Sequence, residues 1–154
     1  MKKLLFLVLF SPYALSADNE IFIDQIGATL NLNIEQLGSG NIVGGSASIA
    51  GTPTALTLVG GTQTLEINQI GSSNEFLGSI VSDLMTGQFD FDGSTNTFDV
   101  NFDATNTFGA DSADVVVDVA GSTNAFVLNV GTASLASQLD LDWTIQGDSN
   151  SITA

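Results

Sequence analysis

Almost all of the ionisable side chains in this sequence are carboxylates. The chain contains 17 Asp and Glu and no His or Cys, and its only basic residues are Lys2 and Lys3. Some carboxylates are an even number of residues apart, so a β-strand would place both on one face: Asp90 and Asp92, Asp99 and Asp103, and Asp140 and Asp142. Two carboxylates can act as the acid and the base of a glycosidase, but a catalytic site normally also needs a basic or electrophilic partner. We therefore interpret the pairs as solvated strand faces and expect no enzymatic activity.

Calcium is the metal that these oxygens would suit best. Residues 90–96 place carboxylate, hydroxyl and amide oxygens around Gly93. The segment lacks the bidentate Glu of an EF-hand loop and the glycine-rich nonapeptide of calcium-binding β-rolls. We expect no dedicated metal site and no cofactor, and leave open loose Ca²⁺ bridging between neighbouring subunits.

The N-terminal segment has the order of a secretory signal peptide. Lys2 and Lys3 precede an apolar run at residues 4–10, which is too short to span a bilayer, and small residues follow at 14–17. The sequence predicts a signal peptide at residues 1–17, one repeat domain at 18–154, and a secreted, extracellular or cell-surface protein.

Removal of that segment would leave all 17 acidic residues and no basic side chain. Such a chain would repel nucleic acid and an anionic membrane, so neither is expected as a partner. Repulsion between copies would also make self-association depend on salt, acid or divalent cations.

The domain is built from copies of one unit, seen most clearly at residues 65–76, which alternates apolar and polar residues, turns, and then resumes with Phe76. The copies align on Asn41, Asn74, Asn96, Asn124 and Asn150. Three residues earlier stand Gly38, Gly71, Gly93, Gly121 and Gly147. A turn at these positions predicts glycines with positive φ.

Alternation along each copy divides its residues between two faces. The predicted core face carries Ile34, Ile67, Phe89, Val117 and Trp143; then Phe91, Val119 and Ile145, with Gln36 and Gln69 in the same column; and, after the turn, Phe76, Phe98 and Phe126. The opposite face is polar and acidic.

The spacings between copies predict the fold class. Asn41 to Asn74 and Asn74 to Asn96 are multiples of eleven residues, as is Gln25 to Gln36. A strand-turn unit of about 11 residues, paired into a rung of about 22 with insertions, predicts an all-β protein, a β-solenoid of stacked strand-turn-strand repeats.

The motif resembles the curlin repeat of curli, the bacterial secreted functional amyloid. Gln36 and Asn41, like Gln69 and Asn74, have the Gln-x4-Asn spacing of that repeat, and Gln25 to Gln36 has its Gln-to-Gln distance, with Gly27 in register. Later copies carry Phe91, Val119 and Ile145 instead of Gln. The resemblance implies a β-solenoid that stacks into a fibre, with itself or related fibre subunits as partners, exported through a pore in the outer membrane.

Stacked amides satisfy one another only when the repeats stack in register. We expect one ladder of Gln25, Gln36 and Gln69, and another of Asn41, Asn74, Asn96, Asn124 and Asn150. Turn chemistry alone remains an alternative explanation for each Asn.

Two segments interrupt the repeats. Residues 44–62 are interpreted as an insertion with its own strand at 54–59, and residues 76–86 have spacing that allows a short helical turn. Residues 98–108 are interpreted as a degenerate copy, and residues 128–139 as bulged strand or loop.

Two function classes follow. The first is a structural protein: a fibre subunit or nucleator for adhesion and biofilm matrix. The second is a monomeric, capped β-solenoid adhesin, with the C-terminal copies around Trp143 as the cap.

Overall fold

The chain forms an all-β structure whose strands pair in parallel. The computed structural model describes residues 18–47, 49–103, 112–130 and 138–154, and this part of the chain contains no helix. The strands are β1 Asn19–Phe22, β2 Asp24–Ile26, β3 Thr29–Gly38, β4 Asn41–Gly44, β5 Leu56–Asp103, β6 Ser112–Ala120, β7 Thr123–Val130, β8 Leu139–Gln146 and β9 Ser149–Thr153. The predicted signal peptide at 1–17, residues 104–108 of the degenerate copy and residues 131–137 lie outside the described residues.

Each strand from β1 to β7 pairs with a later strand, and paired residues are 22 to 33 positions apart in the sequence. β1 pairs with β4 and β4 with β5, so Asn19, Asn41 and Asn74 lie side by side. β2 and β3 pair with β5, β5 with β6, and β6 with β8. β5 also pairs with β7, and β7 with β9. Parallel pairing at these offsets is compatible with a β-solenoid.

β5 spans 48 residues but does not run straight. Asn74 and Asn96 both belong to β5 and share a hydrogen bond of 2.8 Å, whereas 22 residues of straight strand would separate them by roughly 70 Å. β5 therefore turns back and stacks upon itself.

Alternating burial makes the core. Along β6, exposed or half-buried residues alternate with Ala113, Val115, Val117 and Val119, which are all buried. Most of the predicted core residues are likewise buried: Ile34, Ile67, Phe76, Phe89, Phe91, Phe98, Val117, Val119 and Phe126. Trp143 and Ile145 are only half-buried. They depart from the prediction because β8, among the described strands, pairs with β6 alone.

One local prediction is confirmed in part and another is wrong. Residues 56–59 of the strand predicted at 54–59 are strand, but they belong to β5 and pair with β2 in the regular stack, so they are not inserted; the described insertion is residues 45–47 and 49–55. The segment 76–86 is strand throughout, and Phe76, Gly78 and Ile80 alternate inward. Packing of this apolar face overrides the helical spacing.

Candidate functional site

Six asparagine side chains form one continuous chain of hydrogen bonds, here called the asparagine ladder. Nδ2 of each Asn donates to Oδ1 of the next at 2.8 to 2.9 Å. The members are Asn19, Asn41, Asn74, Asn96, Asn124 and Asn150. The four from Asn41 to Asn124 are buried. The five Asn predicted from the sequence are thus joined in one series.

The second N–H of each donating amide is also used. It donates to the backbone carbonyl four residues before the next Asn, at 2.8 to 3.2 Å. These carbonyls belong to Leu37, Ile70, Asp92, Ala120 and Gln146. The neighbouring strand layer therefore accepts from both N–H groups of each donating amide, and this distinguishes the ladder from turn chemistry alone. Asn96 and Asn124 add longer contacts, of 3.3 and 3.4 Å, to the Gly93 and Gly121 carbonyls of their own turns.

The two ends of the ladder differ in hydrogen-bonding character. Within the described residues, Asn19 Oδ1 accepts no hydrogen bond, whereas Asn19 Nδ2 donates to Asn41 and to the Leu37 carbonyl. At the other end, Asn150 Nδ2 donates only to the Gly147 carbonyl, at 3.2 Å. One end thus offers an acceptor and the other a donor.

Beside the ladder runs a column of glycines whose role differs from the prediction. Positive φ occurs at Gly38 and Gly147 but not at Gly71, Gly93 or Gly121, so positive φ does not explain glycine at these three positions. Gly27, predicted as a further turn glycine in the same register, has no positive φ but lies where the chain bends between β2 and β3. A Cβ on Gly93 would collide with the Gly71 carbonyl oxygen and lie 2.7 Å from Asn74 Nδ2. The same close approach repeats at Gly71, Gly121 and Gly147. The column is glycine because successive layers touch there and the ladder amides need the space.

The glutamine ladder is shorter than predicted. Gln69 Nε2 donates to Gln36 Oε1 at 2.7 Å, and both side chains are buried. Gln25 does not join them, because it lies opposite Leu58 in the strand register. Beyond Gln69 no further amide follows in the column, and Gln69 Oε1 is buried without a hydrogen-bond partner.

Sequence reasoning missed two members of these polar columns. Asn19 stands 22 residues before Asn41, a spacing that could have found it, although Ser16 replaces the usual Gly. Gln63 is 1% exposed and donates to the Val81 carbonyl at 3.0 Å, while its Oε1 has no partner. The alternation of Gln63, Leu65, Ile67 and Gln69 indicates its inward direction.

Aromatic rings stack next to the ladder, two residues after Asn74, Asn96 and Asn124. The ring centroids of Phe76 and Phe98 are 5.7 Å apart, and those of Phe98 and Phe126 are 5.8 Å apart. Phe89 contacts both Phe76 and Phe98 edge to face. These distances suit favourable aromatic pairs, so the same layer spacing aligns rings and amides.

The acidic face is stacked in register too. Asp90 lies opposite Asp118 in the pairing of β5 with β6. Burial raises the pKa of Asp90, and the Asp118 and Glu66 carboxylates raise it further, while a hydrogen bond from Gln88 lowers it. Burial also raises the pKa of Glu75. Within the described residues, no group of three or more Asp, Glu, His or Cys is arranged to hold a metal ion.

The insertion is attached to acidic residues of the first layer. Asp24 accepts hydrogen bonds from the hydroxyl and backbone N–H of Ser46 and from the N–H of Thr57. Glu20 accepts one from the Gly51 N–H at 2.6 Å. The Ser46 hydroxyl is the main cause that lowers the pKa of Asp24, despite an opposing desolvation effect.

A scan against protein-family models and searches of curated proteins and of solved structures found no match to the chain. In the described part of the chain, no helix is long and apolar enough to cross a membrane.

Proposed function

We propose that the chain is a secreted structural protein, a subunit or nucleator that assembles end to end into an extracellular amyloid-like fibre for adhesion or biofilm matrix. The observation that carries the proposal is the asparagine ladder, whose buried amides bond to the adjacent layers and whose ends are an acceptor at Asn19 and a donor at Asn150. A further layer of the same kind is what each end would bind.

The fold proposed for this function is a β-solenoid of strand-turn-strand repeats. Its support is the strand register, in which Asn19, Asn41 and Asn74 fall side by side, as do Asn96, Asn124 and Asn150. The layers differ in length by insertions, and the ladder keeps its geometry across them.

Both ends of the stack also carry apolar groups that are incompletely covered. Ile21, Leu30 and Leu32 at one end, and Leu141 and Trp143 at the other, are half-buried against the core. Apolar surface next to unpaired strand edges favours addition of further strands.

The partners proposed are other copies of the chain or related fibre subunits. The signal-like segment and the resemblance to curlin repeats support export through an outer-membrane pore, and the 17 carboxylates argue against nucleic acid. A role as an enzyme has no support from the residue types present.

A second candidate is a monomeric, capped β-solenoid adhesin or surface-binding appendage protein, assisted by Ca²⁺. Its support is β9, a short strand that covers part of one edge by pairing with β7. Capping strands of this kind keep solenoids monomeric.

Thioflavin T fluorescence and fibre diffraction on the chain of residues 18–154 test the proposal. The measurements are made at neutral and acid pH, with and without millimolar Ca²⁺. We expect growth after a lag, seeding by preformed fragments, and reflections at about 4.7 and 10 Å. Asn96→Ala should slow growth, whereas Thr95→Ala, which alters the exposed neighbour of Asn96 within the stack, should not. A chain that stays monomeric under all four conditions would exclude the fibre and favour the adhesin.

A further inference from the structure

We propose that β9 is a displaceable strand, and that in a growing assembly β1 of a second copy takes its place beside β7. This inference rests on the proposed function and adds to it the ends that meet, their register and the step that opens the growing end.

The two sides of the fold have unequal numbers of layers. The asparagine side consists of the strands that begin at ladder residues: β1, β4, two parts of β5, β7 and β9. The glycine side consists of the strands that lead to the glycine column: β3, two parts of β5, β6 and β8. β8 and β9 end the stack in the same layer. At the other end, in the polypeptide of residues 18–154, β1 extends beyond β3, and nothing in the described residues lies level with it on the glycine side.

This inequality decides how a second copy can bind. If β1 of the second copy paired with β9, its β3 would face β8 across a missing layer, because neighbouring strands are about 4.8 Å apart and two spacings would separate them. The apolar edges of β8 and β3 would stay uncovered. If β1 pairs with β7 instead, β3 meets β8 directly.

The second arrangement brings matching residues together. With Asn19 of the second copy in the place of Asn150, opposite Asn124, continuation of the register sets Leu30 opposite Leu139, Leu32 opposite Leu141 and Ile34 opposite Trp143. Except for Ile34, which is 6% exposed, these side chains are half-buried in the single chain. Asn124 Nδ2 would donate to the Asn19 Oδ1 that lacks a donor.

Charge also fits this register. Glu20 would lie opposite Ala125, Glu35 opposite Thr144, and Asn33 opposite Asp142. No carboxylate faces another carboxylate, and Asn33 already donates to a carboxylate, that of Glu66, at 2.7 Å. Like charges directly opposite each other on paired strands are destabilising. Because the chain has 17 acidic residues, a register that avoids such contacts is favoured over registers that bring carboxylates together.

β9 is the strand that should detach from the fold most easily. All five of its residues are exposed, and Ile152, its only large apolar side chain, is 54% exposed. Besides the parallel pairing with β7, β9 is held by the hydrogen bond from Asn124 to Asn150. The incoming β1 offers the same Asn with Ile21 at the position of Ile152, and it brings β2 and β3 with it.

A reversible lock on β9 tests the proposal, since the chain has no Cys of its own. Ala125→Cys with Ser151→Cys joins β7 to β9 at directly opposed positions, a separation that a disulfide can span. We expect the oxidised variant to stop elongation of wild-type seeds: one copy can bind at the β9 end of a seed, its own locked β9 blocks the next copy, and reduction restores elongation. The matched control, Thr97→Cys with Ala125→Cys, joins β5 to β7, which stay paired, and should elongate in both states.

Cross-linking between copies reports the register independently. In fibres grown from a mixture of Glu20→Cys and Ala125→Cys chains, oxidation should give covalent dimers, whereas a mixture of Glu20→Cys and Ser151→Cys chains should not. Elongation by the locked variant, or dimers only in the second mixture, would overturn the displacement of β9 while leaving the fibre intact. Failure of the wild-type chain to form fibres at all would instead count against the proposed function.

Discussion

Asn41 donates a hydrogen bond of 2.8 Å to Asn74 although 33 residues separate them, and Asn74 makes the same bond of 2.8 Å to Asn96 over 22 residues. The hydrogen-bond geometry is the same whether 33 or 22 residues of chain connect the two layers. The insertion of residues 45–47 and 49–55 therefore does not change the stack. The chain departs from the end of β4 and re-enters the stack at Leu56 in register.

A break in the middle of the ladder should cost more than a break at its end. Asn96→Ala removes the acceptor of Asn74 Nδ2 and the donor to Asn124 Oδ1, both buried, and we expect a loss of about 3 kcal/mol in the free energy of unfolding. Asn150→Ala removes one exposed partner and should cost under about 1 kcal/mol. Urea unfolding of the monomer measures both. Equal losses would mean that the amides act only within their own turns.

The glycine column should reject even a methyl group. In Gly93→Ala the new Cβ meets the Gly71 carbonyl oxygen, which is backbone, and we expect a loss of about 3 kcal/mol. Gly78→Ala is the control, because its Cβ would meet only side-chain carbons of Leu56 and Phe76 at 3.3 Å. Thermal unfolding compares them, and a Gly93→Ala variant as stable as Gly78→Ala would contradict the close approach of layers.

The two glutamines with an unpartnered Oε1 should respond to Met to different extents. Gln63→Met removes a buried acceptor that has no donor, and this gain offsets the loss of the hydrogen bond from Gln63 Nε2 to the Val81 carbonyl, so stability should change by less than about 1 kcal/mol. Gln69→Met also removes an unpartnered acceptor, but it leaves the buried Gln36 Oε1 without its donor and removes the bond to the Glu75 carbonyl, so stability should fall by about 1 to 2 kcal/mol. Denaturant titration measures both changes, and the prediction fails if Gln63→Met costs as much as Gln69→Met.

Stability should increase in mild acid. The pKa values of Asp90 and Glu75 are raised, so the folded state binds these protons more tightly than the unfolded state. Their contribution to stability grows as the pH falls through the raised folded pKa and is complete below the unfolded values of about 4. Melting temperatures between neutral pH and about pH 4 should therefore rise for the wild type. Asp90→Asn should melt higher at neutral pH and depend less on pH, whereas Asp140→Asn should keep most of the dependence.

The insertion should loosen when Asp24 is changed. Asp24→Ala removes the acceptor of the Ser46 and Thr57 N–H groups, so these two amides should exchange hydrogen faster while amides within β6 do not change. Glu35→Ala, an exposed change in the same layer, is the control. Because the pKa of Asp24 is lowered, protection should persist below the usual carboxyl range and be lost as the pH falls through that lowered pKa. Unchanged exchange in Asp24→Ala would exclude Asp24 as the attachment.

The sequence by itself determined which residues alternate inward, where the copies begin and which Asn and Gly recur, because a strand exposes alternate side chains to opposite faces whatever it pairs with. It also indicated the all-β class. The register of Asn41 on Asn74 followed from the repeat spacing.

Only the tertiary structure decided what the recurring residues touch. The reason for Gly71, Gly93 and Gly121 lies in contacts between layers and not in local φ, and no single copy contains that information. Gln25 looked equivalent to Gln36, yet β2 and β3 both pair with β5 at the same offset, so Gln25 and Gln36 lie in one layer and Gln25 falls opposite Leu58. Trp143 has the alternation of a core residue, but among the described strands β8 pairs only with β6, so Trp143 is only half-buried. Burial and partners depend on the neighbouring layer, and the sequence of one copy specifies only the direction in which each side chain points.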